Sequence, residues 1–373
     1  MKFEGNKTKI EVAIQKASRI SGKHLTLPVL ACVYLEASDQ DKLIIKSTNL
    51  DIGLEIDLKI KVLESGSMAV PANILVGTLS SMKEENLVFE SVENNLKIIS
   101  GKNSALIKTL PHEDFPSIPK LDFSENEKTK NRKIKIDCSN LILGFKSVWY
   151  SASNSNIKPE LGSVFIYGGD TGLVFVSTDS FRLAEKRVNT KINGDFQQIL
   201  IPSKNALEAL KLFEEYNGDI DIVFEKNQAA FVAGNIYMVS RLVDGSFPDY
   251  KQIVPKSFEG SAIVLKADLI NAIKASNIFS GPLNQVKLKL NIKEKSVQIE
   301  SKNNEIGEYK ESVKANVSGS DLELSFNSKY IADCMQSISD DSLTLGFGGA
   351  GKPLSISGSS DKSFLYIVMP MNR

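Results

Sequence analysis

The chain is short of histidine and cysteine, the side chains that zinc sites and acid–base chemistry near neutral pH most often use. It has two histidines and three cysteines, and the cysteines, Cys32, Cys138 and Cys334, are far apart and form no CxxC pair. A disulfide framework or thiolate metal site is therefore not expected, whereas buried reduced thiols are. His24 and His112 stand in separate Pro-containing stretches, away from any cysteine or paired carboxylates. Neither a zinc centre nor a Ser-His-Asp arrangement has its parts. Net charge is lacking too: 45 basic residues balance 45 acidic ones, which excludes a protein that grips polyanions with its whole surface. Any such contact must be local. No run approaches the length of a membrane span, and the opening MKFEGNKTKIEVAIQK has no uninterrupted apolar core of the signal-peptide kind. A soluble, cytoplasmic protein without cofactor, metal or membrane partner is expected.

What is present is enough to fold. Apolar residues make up 42% of the 373 positions and charged ones 24%, near the globular average and far from disorder. A chain of this length divides into two or three domains.

Internal repetition sets the number at three. A hydrophobic residue and Pro open a helical pattern at Val70-Pro71 and again at Ile201-Pro202, and Phe326-Asn327 falls in phase, a period of roughly 130 residues. Thr48-Asn49-Leu50-Asp51 matches Thr178-Asp179-Ser180-Phe181, and Glu113-Asp114-Phe115-Pro116 matches Gly245-Ser246-Phe247-Pro248. Strand-like alternation leads into each repeat's end, broken by a turn at Gly101, Gly234 or Gly358. Each copy begins with an amphipathic helix pattern: Ile10, Ala13, Ile14, Ala17 and Ile20; Leu141, Ile142, Phe145, Val148 and Trp149; Leu269, Ile270, Ile273 and Ile278. The expected class is α+β, with three similar domains of two helices packed on antiparallel sheets. Polar stretches at Ser124 to Arg132 and Lys251 to Lys256 place the domains at 1–128, 129–253 and 254–373.

The loop Gly346-Phe347-Gly348-Gly349-Ala350-Gly351-Lys352-Pro353 satisfies two nucleotide-binding patterns on paper. A phosphate cradle must run into a helix N-terminus and needs Ser or Thr after its Lys. Here Pro353 takes that place and a strand-like alternation follows, so a β-hairpin loop is expected. Acidic pairs such as Asp340-Asp341 lie in polar segments, where solvated carboxylates are the default. No active site is expected. Lys9, Lys16 and Lys23 recur every seven residues on the first helix with Arg19 between, as either a solvated face or a stripe for phosphates.

Five segments carry a resemblance: Leu25 to Leu30, Thr109 to Pro116, Ser177 to Ala184, Arg241 to Tyr250, and Tyr366 to Met371. In the same order they resemble signature stretches of the bacterial DNA polymerase III beta subunits, the sliding clamps, and the likeness runs the length of the chain. It implies a non-catalytic processivity subunit. The implied assembly is a head-to-tail homodimer whose six domains close a ring around duplex DNA, without sequence preference. It also implies a pocket for short motifs of the DNA polymerase III alpha subunit, the clamp loader and other clamp-binding-motif proteins. The matching pocket positions are Leu161, Thr178, Arg182, Leu183, Pro248, Tyr250, Ile253, Tyr330, Pro353, Met369, Pro370 and Met371. Implied DNA-facing residues are Lys16, Arg19, Lys23, His24 and Lys204; the implied ring interface includes Lys102, Ile107, Ile278 and Phe279. The chain departs from the family at Ser180-Phe181, where a Gly-His pair is common, at His24 and Asn73, where basic residues are common, and at its last two residues, Asn372-Arg373.

Overall fold

The computed structural model describes residues 1–22, 26–124, 132–155, 157–191, 196 and 198–371. Its six α-helices are α1 (Lys7–Ile20), α2 (Ala72–Ser81), α3 (Cys138–Val148), α4 (Ser203–Phe213), α5 (Lys266–Asn277) and α6 (Ser328–Cys334), two in each repeat. Every one follows directly on a strand. At α1 and α6 the chain turns from extended to helical at an asparagine: Asn6 Oδ1 accepts the Lys9 N–H at 3.2 Å, and Asn327 Oδ1 accepts that of Lys329 at 3.0 Å. These caps satisfy amides that the first helical turn leaves without carbonyl partners.

The apolar stripes face inward as their spacing requires. Ile10, Ala13, Ile14, Ala17 and Ile20 are all buried on α1, as are Leu141, Phe145 and Val148 on α3 and Leu269 and Ile273 on α5. Gly144 shows how closely α3 approaches its sheet, since a Cβ there would come within 2.5 Å of the Phe175 ring. Phe175 fills that space itself and meets Phe145 edge-on, 5.6 Å between centroids.

The chain divides into two compact units. Met1–Ser139 with Glu208–Leu242 carry a five-stranded and an eight-stranded sheet, both antiparallel. The larger sheet crosses a repeat boundary, because Ile236–Arg241 lies along Ile52–Lys59 with Ile236 opposite Ile56 and Ser240 opposite Ile52. In the second unit, Asn140–Leu207 with Val243–Arg373, a twelve-stranded sheet crosses the next boundary in the same way. There Phe364–Val368 lies antiparallel along Arg182–Asn189, with Leu183 opposite Ile367. The glycine-rich loop is a hairpin between Ser342–Phe347 and Leu354–Gly358, closed by Phe347 opposite Leu354 and by Gly348 N–H donating to Pro353 O.

The three cysteines are buried and free. Burial pushes the Cys32 and Cys138 thiols up to about 11, so both stay protonated and unreactive near neutral pH. Among the described residues no cluster of three or more His, Cys, Asp or Glu could hold a metal ion, and no helix is long and apolar enough to cross a membrane.

Candidate functional site

The segment Thr178 to Leu183 is a tight turn whose geometry comes from its own side chains. Thr178 Oγ1 donates to Arg182 O at 2.6 Å and accepts from Ser180 N at 3.2 Å. Asp179 Oδ1 accepts the N–H groups of both Phe181 and Arg182. Between them Ser180 sits at φ 77°, in the left-handed region that L-residues enter only when such bonds compensate. The turn leaves Phe181 62% exposed, a large aromatic ring held out to solvent.

Arg182 points the other way. Its Nε donates to Asp179 Oδ2 at 3.0 Å, one terminal nitrogen to Asp333 Oδ2 at 2.5 Å and the other to Tyr150 O at 2.6 Å. The guanidinium also lies 4.3 Å from the centroid of the Tyr330 ring. Burial opposes its charge, but the neighbouring Tyr366 hydroxyl, with Asp333 and Asp179, overcomes that and raises its pKa beyond the ordinary arginine value. Each of the three guanidinium nitrogens has a partner, so Arg182 organises the site and its charge is largely matched within it.

The end of the chain is stitched to this turn. Met369 N–H donates to Phe181 O and Met371 N–H to Ser325 O, each at 2.8 Å, while the Met369, Pro370 and Met371 side chains stay half-buried. Leu183 and Tyr250 share an apolar cluster with Val174, Val176 and Ile367. Tyr250 spends its hydroxyl on the buried Glu185 carboxylate, at 2.5 Å, and burial together with that bond raises its pKa. It therefore supplies an apolar ring rather than a proton. Tyr366 donates to Tyr330 O and so fixes the backbone beneath the cation–π pair.

Thr178, Arg182, Leu183, Tyr250, Tyr330 and Met369 are thus linked through these contacts. Pro248 and Ile253 are exposed, Ile253 at 49%, Leu161 is buried, and Pro353 is half-buried beside the hairpin loop. Asp333 and Tyr150 were invisible to sequence reading; Asp333 lies 151 residues from Arg182, with no motif around it. Phe181 had a signal, as a departure from the resembled pattern.

The cations fare differently. Lys16 Nζ donates to Leu212 O at 3.2 Å, in the last turn of α4, and Arg19 pairs with Glu208 at 3.3 Å. Both have protein partners, and Arg19 remains exposed while paired. Lys204 is exposed, and Lys23 and His24 lie outside the described residues. At the expected ring interface Lys102 is exposed and Ile278 is 68% exposed, while Phe279 stacks on Tyr309 at 6.1 Å. Ile107 differs from expectation: it is only 4% exposed, packed inside its own repeat, and Leu106 next to it is 61% exposed. Both neighbours are apolar, so alternation alone did not say which one faced out.

Family profiles match the chain in three successive pieces: DNA polymerase III beta subunit N-terminal domain over residues 1–119, central domain over 135–249 and C-terminal domain over 251–372. The beta sliding clamp of Staphylococcus epidermidis is 27% identical over 356 residues, covering 93% of this chain and 92% of that protein. The Staphylococcus aureus clamp is 26% identical with the same coverage. Among solved structures, the DNA polymerase sliding clamp from Bacillus subtilis superposes with a TM-score of 0.91 at 24% identity, over 100% of this chain and 99% of that one. The beta subunit from Thermotoga maritima gives 0.91 at 23% identity with the same coverage. The chain belongs to the DNA polymerase III beta subunit family, the beta sliding clamps, which are non-catalytic processivity subunits of DNA replication.

Proposed function

We propose that two copies of this chain close head to tail into a cytoplasmic ring around duplex DNA. In this reading the Arg182 cluster and the Met369 to Met371 tail hold short motifs of the DNA polymerase III alpha subunit, the clamp loader and other partners. One observation carries the ring: a junction made twice inside the chain is left unmade at both of its ends. The last strand of the second repeat, Ile236–Arg241, adds to Ile52–Lys59 of the first, and the last strand of the third, Phe364–Val368, adds to Arg182–Asn189 of the second. The corresponding strand ending the first repeat is Asn103–Lys108, and the corresponding acceptor in the third is Gly307–Gly319 over its first half. Among the described residues Asn103–Lys108, and residues 307–314 of the latter strand, are each paired on one side only, while residues 315–319 pair with Gly260–Leu265. A second copy supplies what each lacks, and a heterologous contact of this kind closes when the rotation per unit permits.

The exposed Leu106, Ile278, Leu283 and Ile306 give that junction apolar anchors on both sides. A ring that slides should touch the backbone weakly and without reading bases, with persistence coming from topology, and near-zero net charge suits such a ring. Light scattering should give twice the chain mass at micromolar concentration. The protein, once loaded, should stay on nicked circular DNA and run off when that DNA is linearised; a stable monomer, or equal retention on both, would overturn the ring.

A further inference from the structure

The turn at residues 48–53 repeats the turn at 178–183 bond for bond. Thr48 Oγ1 donates to Ile52 O at 2.7 Å and accepts from Leu50 N at 3.0 Å, as Thr178 does with Arg182 and Ser180. Asn49 Oδ1 takes the Asp51 and Ile52 amides, the part played by Asp179 in the second repeat. Leu50 stands at φ 75° where Ser180 stands at 77°. A leucine in the left-handed region is strained unless something holds it, and the Thr48 and Asn49 bonds are what hold it.

Beside this first turn lies a cleft of about 150 Å³. Its floor is apolar and closed: Ile52 and Val239 are buried, and Gly53 has no room for a Cβ because Ile118 would be 2.7 Å away. Its mouth is formed by Leu50, 41% exposed, with the exposed residues Asp51, Ser117, Pro119 and Arg241. Arg241 is exposed, and among the described residues its side chain has no ion-pair partner; only its backbone is tied, N–H to Asp51 O at 2.9 Å. The sister site differs in one decisive way. There the cation, Arg182, is buried and consumed by carboxylates, whereas here Ile52 occupies its place and the free cation stands at the rim.

We propose that this cleft is a second docking site, taking one apolar side chain of a linear peptide whose adjacent C-terminal carboxylate meets Arg241. The volume suits one leucine-sized or ring-sized group, and the unpaired guanidinium complements a carboxylate in planar geometry. The inference stands on unit-one residues alone and does not depend on the Arg182 cluster binding anything.

The test uses the full chain, with N-acetyl-Leu-Leu and its C-terminal amide as probes, followed by amide chemical-shift mapping and titration. The acid form should saturate and shift residues 48–53 and 116–119, binding roughly two- to fivefold tighter than the amide, as expected for one exposed ion pair. Leu50→Asp should abolish these shifts, and Arg241→Glu should erase the preference for the acid. Met369→Ala with Met371→Ala, which alters the other cluster, should leave them unchanged. Leu50 and Arg241 are exposed, and Leu50→Asn, which the left-handed backbone accepts, and Arg241→Gln repeat the comparison should a charged variant misfold. Absence of saturable shifts in this segment, or their persistence in Leu50→Asp or Leu50→Asn, would overturn the proposal. Loss of all shifts on altering only Met369 and Met371 would assign the binding to the tail cluster instead.

Discussion

Arg182 shows how a residue can be legible as important while its role is not. The run Thr178-Asp179-Ser180-Phe181-Arg182 announces itself in the sequence as part of a segment that carries the resemblance. In the fold the guanidinium is taken up by Asp179, Asp333, Tyr150 O and the Tyr330 ring. Its consequence is stability first. Lysine offers one compact ammonium in place of a planar fork, so Arg182→Lys should leave a half-buried carboxylate or the carbonyl of the buried Tyr150 unmatched and cost about 1–3 kcal/mol. Urea unfolding monitored on the full chain would measure it. Unchanged stability with lost peptide affinity would mean that Arg182 faces the ligand after all. The sequence could not reveal the role because half of the reason lies 151 residues away, in Asp333, where three-dimensional proximity replaces any local spacing.

At the scale of the element, the same substitution of role appears at Lys16. A helix ends with carbonyls that have no intrahelical donors, and the Lys16 ammonium supplies one to Leu212 O at the end of α4. Lys16→Gln should therefore lower stability by about 0.5–1 kcal/mol while leaving the salt dependence of DNA retention unaltered. A flattened salt slope would show that Lys16 faces DNA as well. A second element-level device joins Arg182–Asn189 to the hairpin before Phe364–Val368: the buried Lys186 ammonium donates to Asp361 Oδ2 at 2.9 Å and to Ser363 Oγ at 2.6 Å. Burial resists the Asp361 charge, but the Ser363 and Lys186 bonds prevail and bring its pKa from 3.8 down to about 2. A carboxylate depressed on folding stabilises above its unfolded pKa and loses that contribution as pH falls through the folded one. Between pH 4 and 2 the native chain should therefore lose about 2 kcal/mol from this group. Asp361→Asn should be less stable at pH 7 and converge on the native chain at pH 2; parallel curves would remove Asp361 from the acid response. Helix faces were readable from their periodicity, but helix ends were not. Ile278 continues the α5 stripe in sequence and yet emerges exposed, because it follows the last residue of the helix and serves as its C-cap.

At the scale of the whole molecule, the threefold period was plain in the sequence while the division into compact units was not. Three repeats give two units because the sheets ignore repeat boundaries: Ile236–Arg241 belongs to the second repeat by sequence and extends the sheet of the first. Periodicity records duplicated residues, and backbone pairing between copies leaves no residue type behind to read. That same pairing rule governs the ring. If Asn103–Lys108 and Gly307–Gly319 of two copies complete the junction, the exposed Leu106 and Ile278 become buried on assembly, whereas Ile107 already is. Leu106→Asp with Ile278→Asp should then give a folded monomer, since each aspartate is solvated in the free chain but must be desolvated in the dimer. Two such charges cost about 2–4 kcal/mol each, enough to weaken a micromolar or tighter association beyond detection. Ile107→Asp should behave otherwise and destabilise the first repeat itself, because its charge is buried whether or not a partner is present. Solution mass, thermal unfolding and retention on nicked circular DNA should be measured on all three proteins. A dimeric double variant would remove Leu106 and Ile278 from the interface. A monomer that still stays on circular DNA would show that the chain holds DNA by contact, without closing around it.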